Sequence, residues 1–416
     1  MLNSKGEREL AYVVLIDEIM PIEGYDRVEL ARVGGWHVII QKGQFKVGDP
    51  AIYFEVDSKV PSDRECFAFL AKRKYKIKTI KMCGVISQGL LMHANDFGWE
   101  NAIDADGHPL VYDVKDNSRF WYADGEDRFL TKELGVTHIE DEENKPKQRA
   151  DKYKVMAQRR PNIFKQKWAR WLMQREWGRK IMFFFFGQKK KKSSETAFPT
   201  KFPYVKKTDQ ERCENMPWIL KDKTPYIVTE KCDGSSATYI LARTHNPFNP
   251  FEFYVCSRNV RMLDEGQKCF YEDNVYWEMA KKYNIEEKLK DYLKNNPKLS
   301  YICWQGEICG PHIQKNPHHL YENHLFCFHM IDSAQGKYDM RVAERIWYGY
   351  NMEVVPIVNI NYRMPDDFEE FKKSADGTYD YDVCNGECAR EGYVYYKTTD
   401  PNFSFKKVSR EYLLKH

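Results

Sequence analysis

From Ala11 to about Phe97 the chain is built of short apolar or alternating runs, each closed by a turn signal. "YVVLIDEI", "VELARV", "WHVIIQK", "AIYFEVDS", "YKIKTIKM" and "GLLMH" follow one another, punctuated by Gly34-Gly35, Gly43, Gly48-Asp49 and Gly84. Period-two alternation over such lengths predicts strands, with the glycines making the turns between them. After "FPTKFPYVKKTDQERCENMPW" the pattern changes, and strand-like and helix-like stretches alternate to the end. That change predicts an α+β arrangement behind an all-β segment.

Five or so closely spaced strands predict a small barrel of the OB type, a shape that commonly holds oligonucleotides. In "KRKYKIKTIKM" the cations Lys72, Lys74, Lys76 and Lys78 alternate with Tyr75, Ile77 and Ile80, so a strand here would present one basic face. That face is a candidate nucleic-acid contact; a lysine-lined edge strand that resists aggregation has the same pattern. The expected layout is a barrel over 1–115, a linker over 116–197 that is acidic and then basic-aromatic, and the α+β domain over 198–416.

The chain has 416 residues, too many for one ordinary core, and its 42% hydrophobic content is enough to build packed domains. No apolar run approaches the roughly 20 residues needed to span a bilayer, and "MLNSKGEREL" is too charged for a secretory signal. Eleven cysteines without a C-x2-C pair read as reduced thiols of a soluble intracellular protein, cytoplasmic by default, with no zinc site. The net charge of +4 is unevenly spread: between Asp151 and Lys192 there are fourteen Lys/Arg against two acids. The rest of the chain is therefore acidic.

The basic block interleaves Arg159, Arg160, Lys165, Lys167, Arg170, Arg175, Arg179 and Lys180 with Phe164, Trp168, Trp171, Leu172 and Trp177. Cations beside rings suit a nucleic acid, with charge for phosphate and faces for bases. An amphipathic helix packed against a domain, or a segment resting on an anionic membrane, has the same composition.

Within "TEKCDGSSATY" Lys231 stands two positions before Asp233-Gly234 at the end of a strand-like run. Partial burial lowers a lysine's pKa, and a depressed amine is a nucleophile toward carbonyl carbon or phosphorus. Asp233 can hold a metal or its waters, and Gly234 lets the backbone approach a phosphate. A lysine at a strand end followed by an Asp-Gly turn reads the same way.

Further stretches follow in order: "CSRN", "WQGEICGPHIQKN", "LFCFHMIDS", "REGYVYYK" and "FSFKKVS". With "EKCDGSS" this series resembles the covalent nucleotidyltransferases, and the "GEICGPHIQKN" wording resembles their RNA ligase 2-like branch. The N-terminal stretch extends the likeness to RNA ligases that carry an OB domain ahead of the catalytic domain. DNA ligases and capping enzymes place theirs after the last lysine motif.

The resemblance implies roles residue by residue. Lys231 attacks the α-phosphorus of ATP. Asp233, Glu391 and Glu307 orient the waters of Mg2+ or Mn2+, and Glu307 also contacts the ribose. Phe328 stacks on adenine with Val394 on the opposite face, and Glu230 recognises the adenine amine. Arg258 binds phosphate. Lys406, with Lys407 as the alternative, contacts the α-phosphate; the two are adjacent, so a strand directs only one inward. Ser235-Ser236 stand where DNA ligases carry an arginine, and His329 stands where an acid is common. The implied activity is sealing of 3′-OH/5′-phosphate breaks by an ATP-dependent RNA ligase that works as a monomer. Its substrates would be nicked duplex RNA or RNA/DNA hybrids, with RNA on the 3′-OH side. A capping-type guanylyltransferase and an inactive nucleic-acid-binding relative are the alternatives.

Overall fold

The computed structural model describes residues 1–97, 128–139, 172, 204–205, 209–258, 260–262, 265, 274–379 and 386–415. The described residues of Met1–Ile139 and Phe198–His416 form one compact unit.

The N-terminal strands are β1 (Ala11–Leu15), β2 (Glu18–Ile22), β3 (Tyr25–Val33), β4 (Trp36–Gln41), β5 (Pro50–Phe54), β6 (Ser58–Lys59), β7 (Lys76–Ile77), β8 (Ile80–Met82), β9 (Val85–Ser87), β10 (Leu90–Met92) and β11 (Thr137–His138). They pair as β2-β3-β4, β1-β5-β10, β11-β6-β7 and β8-β9. The run "AIYF" of β5 is apolar at successive positions because both of its faces are buried. Ile52 and Phe54 join Leu10, Val13 and Phe67 in one cluster, while Ala51 and Tyr53 join Tyr12, Trp36 and Val38 in a second.

Two expectations fail here. The lysine tract is not one strand: Glu65–Arg73 form a 3₁₀ helix with Phe67 and Leu70 buried, ended by Lys74 and Tyr75 in the left-handed region at φ 53° and 61°. Burial of two apolar residues three apart outweighs the period-two signal. Lys72 and Lys74 are exposed at the helix end, and Lys76 sits in β7 opposite Lys59, so the three share no strand face. Likewise 128–139, assigned to the linker, belong with the N-terminal core. Leu130, Leu134 and Val136 pack there, and Thr131 Oγ1 accepts from the Leu10 and Ala11 N–H groups at 2.8 and 3.1 Å.

The C-terminal strands are β12 (Glu211–Arg212), β13 (Tyr226–Glu230), β14 (Ser235–Arg243), β15 (Phe251–Ser257), β16 (Arg261–Met262), β17 (Tyr301–Cys309), β18 (His324–Asp332), β19 (Gly336–Lys337), β20 (Ile357–Tyr362), β21 (Gly392–Lys397) and β22 (Ser404–Val408). They build a six-stranded sheet, β16-β15-β14-β17-β18-β19, and a five-stranded one, β12-β22-β21-β13-β20. Helices α1 (Val275–Lys282), α2 (Ile285–Asn295) and α3 (Met340–Gly349) pack into the main cluster with the larger sheet. Asn274 and Asp339 cap α1 and α3, and α2 buries Ile285, Leu289 and Leu293 at a spacing of four. Ile227, Val394 and Tyr396 of the smaller sheet join the same cluster, so the two sheets meet over one core.

Short polar contacts join the two domains. Arg212 Nη2 donates to Asp57 at 2.6 Å, and Asn215 Oδ1 accepts from Tyr12 Oη at 3.1 Å and Trp36 Nε1 at 2.6 Å. Gly35 N donates to the Glu214 carbonyl at 2.8 Å. A Cβ at Gly35 would lie 2.4 Å from the Phe368 ring and 2.7 Å from Glu214 Cα, so the approach of the backbones requires glycine.

Candidate active site

Lys231 follows the last residue of β13. Its N–H donates to the Gly392 carbonyl at 2.9 Å, its carbonyl accepts from Tyr379 Oη at 2.7 Å, and its Nζ donates to Glu391 Oε1 at 2.5 Å. These bonds pin the residue to β21, which pairs with β13 in antiparallel register. Glu391 precedes β21, and Glu307 lies on β17 opposite Ser236 of β14. Asp233 is held from two sides: its N–H donates to His318 Nε2 at 3.1 Å, and its carboxylate accepts from Tyr412 Oη.

The charges around the amine reverse one expectation. Burial depresses the Lys231 pKa, but Glu391, Glu307 and Asp233 outweigh it, and the pKa stands above its ordinary value. Burial likewise pushes Glu307 up to about 8 and Glu391 up to about 7, in each case against the pull of Lys231. Three carboxyl groups crowd one ammonium, and the raised values of Glu307 and Glu391 show that this single cation does not hold all of them fully ionised. Glu391 Oε2 is also buried without a hydrogen-bond partner among the described residues. Both features fit a divalent cation. Among the described residues no three acids, imidazoles or thiols converge as a direct ligand set.

β22 separates the adjacent lysines. Lys406, opposite Val394, donates to Asp209 at 3.2 Å; burial, Arg8, Arg212 and Lys231 lower its pKa to about 8 against the pull of Asp209. Lys407, opposite Tyr393, is fully buried, donates to Glu214 at 2.8 Å, and so faces away from Lys231. Its nucleotide contact as the alternative to Lys406 is thereby corrected, because consecutive strand residues point to opposite faces.

Phe328, partly buried, is the extra residue of a bulge, since Gln305 pairs with His329 while Gly306 pairs with Cys327. A bulge re-aims the side chain it carries. Val394 on β21 is buried opposite Thr229. Glu230 is buried beside Arg390 at 3.3 Å, and Arg258 lies 3.8 Å from Asp209. Gly234 has a packing reason of its own: a Cβ there would lie 2.2 Å from the Ile308 carbonyl oxygen. His329 is buried and bonds Gln305 Oε1 through Nδ1 at 3.1 Å. Arg159, Arg160, Arg170 and Arg175 lie outside the described residues.

Sequence reading missed Asp209, Arg8, Arg390, His318, Tyr379 and Tyr412. Two of them stood beside quoted motifs, Asp209 in "KKTDQER" and Arg390 directly before Glu391. The others reach the site only through the fold.

Residues 224–408 match the RNA ligase family model, and residues 10–94 match an OB-fold domain model. No curated protein matches the chain by sequence. Among solved structures it is similar to Naegleria gruberi RNA ligase with PPi, at 24% identity and TM-score 0.68 over 99% of each chain. A mutant of that ligase with ATP and Mn matches at 24% identity and TM-score 0.67, over 98% of this chain and 99% of that one. Nearly the whole fold is therefore shared. Residues 224–408 form an RNA ligase-family domain, and an OB-fold domain precedes it in the chain.

Proposed function

We propose that this protein is an ATP-dependent RNA ligase that seals 3′-OH/5′-phosphate breaks, with nicked RNA duplexes or RNA/DNA hybrids as substrates and RNA on the 3′-OH side. The observation that carries the reading is the gathering of Lys231, Asp233, Glu307, Glu391 and Lys406, from four separate stretches of sequence, within a domain of the RNA ligase family.

In the first step Lys231 Nζ, once unprotonated, attacks the α-phosphorus of ATP. An N–P bond forms, the bond from α-phosphorus to the bridging oxygen breaks, and pyrophosphate leaves. Glu391 Oε1, 2.5 Å away, is the nearest acceptor for the proton released from Nζ. Asp233, Glu391 and Glu307 would hold Mg2+ or Mn2+ through water, and the ion would supply charge neutralisation at the α-phosphate. Lys406 stabilises the charge that develops there, and Arg258 binds phosphate. Phe328 and Val394 sandwich the adenine, and Glu230, fixed by Arg390, reads its amine. AMP then passes to a 5′-phosphate end, and a 3′-OH displaces it to close the strand. The ligase of Naegleria gruberi, whose structures hold ATP, AMP and Mn, supports the choice of nucleotide and metal.

Incubation with α-labelled ATP and Mg2+ or Mn2+ tests this. The expected result is a labelled covalent adduct, lost in Lys231→Ala, followed by sealing of nicks with RNA at the 3′-OH. Labelling by GTP alone would establish a guanylyltransferase instead, and no Lys231-dependent adduct would leave an inactive binding protein.

A further inference from the structure

Asp209 has a connection that the catalytic roles above do not use. Its carboxylate, 9% exposed, accepts from Lys406 Nζ at 3.2 Å and from Arg8 Nη2 and Nε at 3.3 and 3.4 Å, with Arg258 3.8 Å away. Arg8 comes from the N-terminal domain and is itself fixed, because its Nη1 donates to the fully buried Glu55 at 2.8 Å. Asp209 stands just before β12, whose Arg212 pairs in register with Lys406. Glu55, Arg8, Asp209 and Lys406 thus form an unbroken polar chain from the first domain to the amine assigned to the α-phosphate.

We propose that Arg8, acting through Asp209, is a positioning residue for Lys406, so that the segment leading into the N-terminal domain bears on the adenylylation step. A lysine has four rotatable bonds and no preferred direction, whereas the fork of an arginine fixes the carboxylate that in turn fixes the ammonium. Lys406 also lies in the fields of Arg8, Arg212 and Lys231, and Asp209 is the acid that offsets them. Removing Asp209 moves the Lys406 pKa down from about 8, while removing Arg8 moves it up. The two deletions therefore disturb one amine's position alike and its charge in opposite directions.

The inference rests on the ligase reading, and the full-length protein tests both. Labelled-ATP adduct formation is followed from pH 6 to 10 in wild type, Arg8→Ala, Asp209→Asn and Asp209→Glu. Both Arg8→Ala and Asp209→Asn are expected to lose about tenfold or more in rate at saturating ATP, with KM for ATP changed less than about threefold, as for a group that acts in the transition state. The alkaline limb should move to lower pH in Asp209→Asn and to higher pH in Arg8→Ala, and Asp209→Glu should recover most of the rate. A merely structural role would not split the limbs. Where Arg8→Ala does not fold, Arg8→Lys keeps the charge without the fork and shows the rate loss with an unmoved limb. Wild-type rates and limbs in the Arg8 and Asp209 variants would overturn this inference alone. Absence of an adduct in wild type would overturn the ligase reading and this inference with it.

Discussion

Lys231 donates to Glu391 across 2.5 Å, and this pair favours the protonated amine. A nucleophilic amine has to lose that proton. Since Glu391, Glu307 and Asp233 raise the Lys231 pKa, a cation among those carboxylates weakens their hold and brings the pKa down. Raising Mn2+ from limiting to saturating should therefore shift the rising limb of the adenylylation pH profile to lower pH by about one unit or more. Labelled-ATP kinetics at two metal concentrations checks this, and a limb that stays in place contradicts it.

Glu230 is almost completely buried and faces Arg390 at 3.3 Å. Arg390→Ala removes a buried countercharge of Glu230, at a cost of about 3–5 kcal/mol. A lower melting temperature is expected together with a higher KM for ATP, because Glu230 loses the ion pair with Arg390. Unchanged KM in a folded variant would remove Glu230 from nucleotide recognition.

The domain junction carries a pH signature of its own. Burial pushes Glu55 up, but the Met1 ammonium, Arg8 and Arg212 outweigh it and hold it at about 2. A carboxylate with a depressed folded pKa stabilises the fold above its unfolded value and ceases to do so as pH falls through the folded one. Glu55→Gln should cost about 3–5 kcal/mol at pH 7, since it leaves Arg8 and Arg212 buried without that countercharge. Chemical denaturation at pH 7 and at pH 3 should show the gap from wild type narrowing between about 4.5 and 2.

The basic block yields a salt-dependence prediction. If Arg159, Arg160, Arg170 and Arg175 contact phosphates, neutralising all four should weaken binding to a nicked duplex. It should also reduce the slope of log K against log salt by about 3–4. Equal slopes for wild type and variant would return the segment to a packed amphipathic helix.

Much of this was legible in the chain. Strand-forming runs broken by glycine in the first hundred or so residues, and the later alternation of strands and helices, are local properties written in residue spacing. The order of the motifs around Lys231, Asp233, Arg258, Glu307, Phe328, Glu391 and Lys406 was readable too. The adjacency of Lys406 and Lys407 even implied that one must turn away. What the sequence could not supply is whatever depends on packing between distant segments. Tertiary burial of Phe67 and Leu70 draws the start of the apparently alternating lysine tract into a helix, which ends at Arg73 and leaves the rest to two short strands. The sign of the Lys231 shift was decided when the fold added Glu391 and Glu307, from distant segments, to the neighbouring Asp233, a Coulomb sum whose two larger contributions are long-range. Arg8 and Asp209, about two hundred residues apart, meet Lys406 only because β12 joins the catalytic sheet while the same segment packs on the N-terminal domain.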